Sequence, residues 1–223
     1  KERRSRLFGI LNGTDYDVYN PETDSALVQN YDSMSLEKRL ENKSALQKEF
    51  NLPVRPETPL FSIVSRLTDQ KGFSLLYETA EPLFRGFDMQ LIVVGSGEPS
   101  FMSFFQQLSE KYPQKVVGHF TFDDVLPHRI FSGADVILIP SKFEPSGLTQ
   151  MEAMRYGAVP LVRKTGGLAD SVTDYNPKTK KGTGFVFEAF DHFAFFGTIV
   201  RAIETYRDPK VWQAIQRQGR DDL

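Results

Sequence analysis

Between residues 60 and 213, six short apolar runs rich in β-branched residues alternate with stretches of helical, amphipathic periodicity. Runs of this kind need cover on both faces, and joining them in parallel takes connections long enough to hold a helix. The runs are LFSIVS (60–65), MQLIVVG (89–95), KVVGH (115–119), ADVILIP (134–140), AVPLVR (158–163) and GFVF (184–187). Helices are expected between them at 72–85, 99–111, 123–132, 147–156 and 167–174, with closing helices at 191–206 and 209–219. The alternation predicts an α/β fold built on a doubly wound, Rossmann-like parallel sheet.

The first fifty-odd residues break the pattern. NGTDYDVYNPETD is rich in turn formers, SLEKRLENKSALQKEF reads as a charged amphipathic helix, and the Pro-containing stretch 53–59 makes a joint. The expected division is an interdomain lead-in segment with its helix, 1–56, and the α/β domain, 57–223.

In open sheets of this type, ligands bind beyond the carboxyl ends of the strands, where helix amino termini also point. The residues suited to chemistry collect there. Arg66 and Lys71 follow the first run, Gly95 to Gly97 the second, His119 to Phe122 the third, Ser141 to Glu144 the fourth and Lys164 to Gly167 the fifth. Arg66 offers a bidentate fork and Lys71 a movable point charge for an anion. Taken alone, they read as two surface cations; their strand-end position favours the binding reading.

In EPSGLT (144–149), Pro145 halts the strand exit and Ser146 is the expected N-cap. Gly147, Leu148 and Thr149 then offer backbone N–H groups at a helix start, a setting that suits phosphate. With phosphate there, Glu144 is expected to face hydroxyl groups at the crevice mouth. Glu152, eight positions later, reads equally as a ribose contact or as a solvated helix residue.

Other patterns carry less. GSGE (95–98) lacks the third glycine of a dinucleotide fingerprint, so a tight strand-to-helix turn explains it. Asp15 and Asp17 have the spacing of a two-carboxylate metal motif but sit in a turn-rich segment outside the sheet. His119, His128 and His192 lack metal-ligand spacing, and His128 is expected to bond a nearby backbone group. The aromatic run FEAFDHFAFF (187–196) is expected to be helix core. No metal or other cofactor is called for.

A net charge of −2 gives no broad basic footprint for nucleic acid, and no apolar run approaches the roughly 18 residues of a membrane span. With no cysteine, disulfides, thiol catalysis and thiolate metal sites are excluded, which is compatible with a reducing cytoplasm. KERRSRLFGILNG lacks the apolar core of a signal peptide and reads as the start of a chain cut from a longer one.

The strings GILNGTDYDVYNPETD, SIVSRLTDQKG, PHRIFSGADVILIPSKFEPSGLTQMEAMRYG and PLVRKTGGLADSV together resemble the carboxyl-terminal half of bacterial glycogen synthases and plant starch synthases. These are retaining glycosyltransferases of the GT-B fold. The resemblance implies transfer of glucose from ADP-glucose to the non-reducing end of an α-1,4-glucan, in a cleft between this nucleotide-sugar domain and a missing amino-terminal domain. It implies a cytoplasmic enzyme, or a plastid one for a plant source, and a half that is inactive alone. It puts Arg66 and Lys71 on the donor diphosphate, Glu144 beside the transferred glucose and Asn12 at the border of the sugar site. The amides of Gly147, Leu148 and Thr149 would hold phosphate, and Thr165, Gly166 and Gly167 would lie near the donor. Phe122 stands where the family has a tyrosine stacked on adenine.

Two further departures are Ser146, where many members have cysteine, and Glu152, which glycogen and starch synthases often replace. The chemistry asks for both signs of charge close together. Negative charge builds on the departing diphosphate while the anomeric carbon gains oxocarbenium character. Arg66, Lys71 and the helix terminus answer the first need; Glu144 answers the second or orients sugar hydroxyls. The competing readings are a related GT-B enzyme using a UDP- or GDP-sugar and a non-catalytic nucleotide-binding regulatory module.

Overall fold

The structure, a computed structural model, describes residues 12–121 and 123–221. Strands β1 (Leu60–Val64), β2 (Gln90–Val94), β3 (Val116–His119), β4 (Val136–Ile139), β5 (Val159–Arg163) and β6 (Phe185–Phe187) form one parallel sheet in the order β3-β2-β1-β4-β5-β6. Each strand lies inside its expected run. Side chains alternate between the two faces, as the strand period requires. Phe61 and Ile63 of β1, with Leu91 and Val93 of β2, enter one core; Leu60, Ile92 and Val94 enter the other. All are buried, each apolar side chain contributing on the order of 1.5–3 kcal/mol.

The first core is covered by α2 (Leu76–Gly86), α3 (Pro99–Lys111), α7 (His192–Tyr206) and α8 (Pro209–Asp221), which bring in Phe84, Phe105, Phe195 and Trp212. The second is covered by α1 (Arg39–Glu49), α4 (Leu126–Gly133) and α5 (Thr149–Arg155), through Leu46, Phe131 and Ala153. The short α6 (Gly166–Ser171) buries Leu168 against Met154 and Val162. The aromatic run divides: Phe187 and Phe195 are buried, whereas Phe190 and Phe193 are exposed, so only part of it is core.

Several helices start later than the apolar period suggests, each for a local reason. Gly72 takes φ 77 between two 3₁₀ turns, Asp69–Lys71 and Phe73–Leu75, and α2 begins only after the second. Asp123 Oδ1 accepts from the amides of Val125 (2.8 Å) and Leu126 (3.0 Å), which sets the start of α4. Gly147 takes φ 69, and α5 begins two residues later with Leu148 as N-cap. Ser146 is therefore not the cap; its hydroxyl accepts from Asn12 Nδ2 at 2.8 Å.

Helix α1 keeps the expected spacing of its inward face but fills it with long polar side chains: Arg39, Asn42, Lys43 and Gln47 are all buried. They answer polar groups of the segments packed around the helix. Arg39 Nη2 donates to the carbonyls of Phe131 and Ala134, and Lys43 Nζ to those of Pro56 and Thr58 while pairing with Asp135 at 2.7 Å. Residues 12–56 are thus bonded closely to the sheet domain, with Tyr31 donating to the Tyr156 carbonyl at 2.7 Å.

Candidate active site

The strand order reverses between β1 and β4, and a sheet of this kind opens its crevice at such a switch point. Two loops meet there. Lys142 N donates to Gln70 O at 2.8 Å, and Lys142 Nζ pairs with Asp69, so the chain after β4 is fastened to the chain after β1. The fit leaves no room for a side chain at Gly72, whose Cβ would lie 2.0 Å from Pro140 O. The GSGE turn is explained in the same way: Gly95 has φ 139, and its Cβ would lie 1.8 Å from Ser65 O.

Across the junction Lys71 Nζ reaches Glu144 Oε2 at 2.6 Å, with the side chains 19% and 11% exposed. Ser141 Oγ donates to the same oxygen at 3.1 Å. A cavity of about 300 Å³ opens beside the pair, lined by Asn12, Ser65, Lys71, Glu144 and residues 146–150. Among the described residues, the amides of Gly147, Leu148 and Thr149 donate to no backbone carbonyl. The crevice therefore offers unpartnered N–H donors, one cation and one carboxylate within a single small volume, a set able to hold an anionic group beside a hydroxyl-bearing one.

The Thr-Gly-Gly turn packs directly on this loop. Gly167 N donates to Glu144 O at 3.0 Å, a Cβ on Gly166 (φ 46) would lie 2.1 Å from the same carbonyl oxygen, and one on Gly167 1.8 Å from Ser146 O. Only glycine allows that approach. Gly167 also lines a neighbouring cavity of about 380 Å³ with Asn12, Tyr16 and Ser146. Thr165 precedes α6 as its N-cap residue.

Arg66 is exposed on the β1 loop and does not line the smaller cavity. Phe122 lies outside the described residues. Glu152 does not line either cavity: it is half-buried on α5, with the Tyr19 hydroxyl nearby. Burial pushes its carboxyl above the usual carboxylate range, partly offset by the neighbouring Tyr19 hydroxyl and His128. His128 bonds a side chain rather than the expected backbone group. Its Nδ1 lies 2.7 Å from Asp24 Oδ2 and 3.0 Å from the Tyr156 hydroxyl, which donates to the same carboxylate. Burial, with Asp24 adding to it, pushes the Tyr156 hydroxyl upward. Asp15 caps its own turn, Oδ1 accepting from Asp17 N at 3.0 Å.

Sequence reasoning missed Gln150 and Arg163, and gave Ser141 a strand-end position but no role. Gln150 is buried and donates to Gly147 O (2.8 Å) and Ser171 Oγ (2.9 Å); Arg163 donates to the carbonyls of Ser141 (2.9 Å) and Lys142. The available signal was position: Ser141 directly follows the fourth run, three residues before Glu144, and Arg163 ends the fifth.

The family model for Glycosyl transferases group 1 matches residues 45–219. The chain belongs to this family. This group 1 glycosyl transferase is 45% identical over 215 residues to a glycogen synthase of Fervidobacterium nodosum, covering 96% of this chain and 44% of that protein. It is 44% identical over 221 residues to a glycogen synthase of Clostridium perfringens, covering 99% and 46%. The chain thus spans slightly under half the length of these relatives. Among solved structures, the catalytic domain of starch synthase IV from Arabidopsis thaliana, bound to ADP and acarbose, is similar at 35% identity and TM-score 0.86, over 97% of this chain and 45% of that one. The C-terminal domain of a group 1 glycosyl transferase from Francisella tularensis shares the fold at 19% identity and TM-score 0.66, over 94% and 96% of the two chains. Among the described residues of this transferase, no helix is long and apolar enough to cross a membrane.

Proposed function

We propose that this chain is the donor-binding half of a glycogen or starch synthase of the GT-B fold. The enzyme transfers glucose from ADP-glucose to the non-reducing end of an α-1,4-glucan, with retention. The observation that carries the reading is the Lys71–Glu144 pair at the switch point, beside three unpartnered amides. The glycogen synthase names of the relatives, and the ADP and acarbose bound by the starch synthase structure, support it.

In this reading, Lys71 and the exposed Arg66 face the donor diphosphate, and the amides of Gly147, Leu148 and Thr149 take phosphate oxygens. As ADP departs, negative charge grows on the diphosphate, and preorganised donors stabilise it without reorganisation. Glu144 and Asn12 border the glucose, with Glu144 answering the positive character of the anomeric carbon or holding a sugar hydroxyl. Thr165, Gly166 and Gly167 close the donor side, Phe122 stacks on adenine, and Glu152 lies toward the ribose. The acceptor glucan is bound with the amino-terminal half, which residues 1–56 adjoin, and the compartment is the cytoplasm.

Assay of the two-domain enzyme tests this. It should extend a maltooligosaccharide from ADP-glucose with α-configured product by NMR, while residues 1–223 alone should give no transfer. Turnover only with UDP- or GDP-glucose moves the chain to another GT-B activity, and nucleotide binding without transfer by the complete enzyme supports a regulatory module instead.

A further inference from the structure

Glu144 is held at one oxygen only. Lys71 Nζ (2.6 Å) and Ser141 Oγ (3.1 Å) both converge on Oε2, while Oε1 accepts no hydrogen bond from the described residues and belongs to a side chain that lines the cavity. A carboxylate bonded twice at one oxygen cannot rotate freely, so the other is presented in a fixed direction. Ser141 is itself immobilised. It is fully buried in the loop two residues after β4, and its carbonyl accepts from Arg163 Nε at 2.9 Å. Arg163 comes from β5 and also donates to Lys142 O and Glu188 O, which ties three successive parts of the rim to one guanidinium. Its planar fork is rigid where a lysine would not be.

We infer that Ser141 is a positioning residue for the reaction. Its hydroxyl, anchored through Arg163, fixes the Glu144 carboxylate so that Oε1 faces the transferred sugar, and it continues to do so when Lys71 turns to a donor diphosphate. The second half of that role gives the serine its importance. Lys71 pairs with Glu144 at 2.6 Å, and a donor diphosphate would compete for the same ammonium. Once Lys71 shifts, Ser141 is the remaining described partner holding Oε2. A neutral hydroxyl suits this task because it brings no charge that the diphosphate would attract. The inference rests on the donor reading above and adds to it a residue that touches the carboxylate rather than the substrate.

The test uses the two-domain enzyme with Ser141→Ala and Ser141→Thr. A hydrogen bond to a charged group that matters only while the sugar reacts should, when lost, lower kcat for ADP-glucose by about tenfold to a hundredfold. ADP lacks the sugar, so its affinity for Ser141→Ala should match that of the unsubstituted enzyme, and Tm should barely move. Ser141→Thr keeps the hydroxyl and should recover most of the rate. A Ser141→Ala enzyme with full kcat overturns the inference. So does a loss in which ADP affinity and Tm fall together with rate, since that marks a merely structural serine, and so does a folded threonine variant as slow as alanine. If the unsubstituted enzyme binds ADP but does not turn over ADP-glucose, the donor reading fails and this inference falls with it. That result is distinguishable because it appears before any substitution is made.

Discussion

Lys71 and Glu144, 73 residues apart in sequence, meet in a 2.6 Å ion pair where the sheet reverses its strand order. The pair leaves a cation poised beside the amides of Gly147, Leu148 and Thr149, which is the arrangement a departing diphosphate needs. Lys71→Ala in the two-domain enzyme should lower kcat by roughly 10²–10³, the effect of losing one preorganised electrostatic donor. Arg66→Ala should act in the same direction. Steady-state kinetics with varied ADP-glucose check this, and a rise in KM at unchanged kcat would mean that these cations only anchor the ground state.

Gly72 should tolerate no side chain. Its φ of 77 is left-handed and its Cβ would lie 2.0 Å from Pro140 O. Gly72→Ala combines about 1–2 kcal/mol of left-handed strain with about 1–3 kcal/mol of overpacking. Urea unfolding of the chain should show a loss in that range. Gly86→Ala is the control, since nothing lies within 4 Å of its Cβ.

Much of this fold was legible because strand runs are local. Each of the six apolar stretches holds its strand, and the loops after them carry Lys71, Glu144 and Gly147 into one crevice, as strand-end position suggested. What escaped is long-range or glycine-driven. The positive φ of Gly147 removed Ser146 from its expected capping role. The partner of His128 is Asp24, 104 residues away, which no local pattern reveals. In α1 the inward stripe was readable, but the burial of Arg39, Lys43 and Gln47 was not, because their partners are backbone carbonyls supplied by other elements. Ser141 and Arg163 are ordinary residues in sequence; only their convergence on one loop gives them a role.

The Lys43–Asp135 pair is almost wholly enclosed, and Asp135 Oδ2 also accepts from Leu60 N at 2.8 Å. Lys43→Met leaves a buried carboxylate without its cation and should cost about 3–5 kcal/mol. Adding Asp135→Asn removes the stranded charge and should restore part of that loss. Denaturant melts of the two single variants and the double complete the cycle, and strictly additive losses would show that the two residues are not coupled.

Glu152 gives a pH dependence of defined sign. Burial raises its folded pKa above the ordinary value, so the folded state holds its proton more tightly than the unfolded chain. Stability from this group is therefore greatest below the unfolded pKa and falls as pH rises toward the folded one. Glu152→Gln removes the charged form and should raise Tm at neutral pH, with the gain shrinking as pH falls toward the ordinary glutamate range. Melting curves across that range decide it; a gain that stays constant with pH contradicts the assignment to Glu152 ionisation.

Nucleotide binding by residues 1–223 tests the donor assignment most directly. Titration calorimetry with ADP, UDP and GDP under one buffer compares the three bases at constant diphosphate. An ADP-glucose site with Lys71 and the 147–149 amides on the phosphates gives measurable binding of all three, with ADP the tightest, and weaker ADP binding in Lys71→Ala. Tighter binding of UDP or GDP than of ADP, or ADP binding untouched by Lys71→Ala, would contradict it.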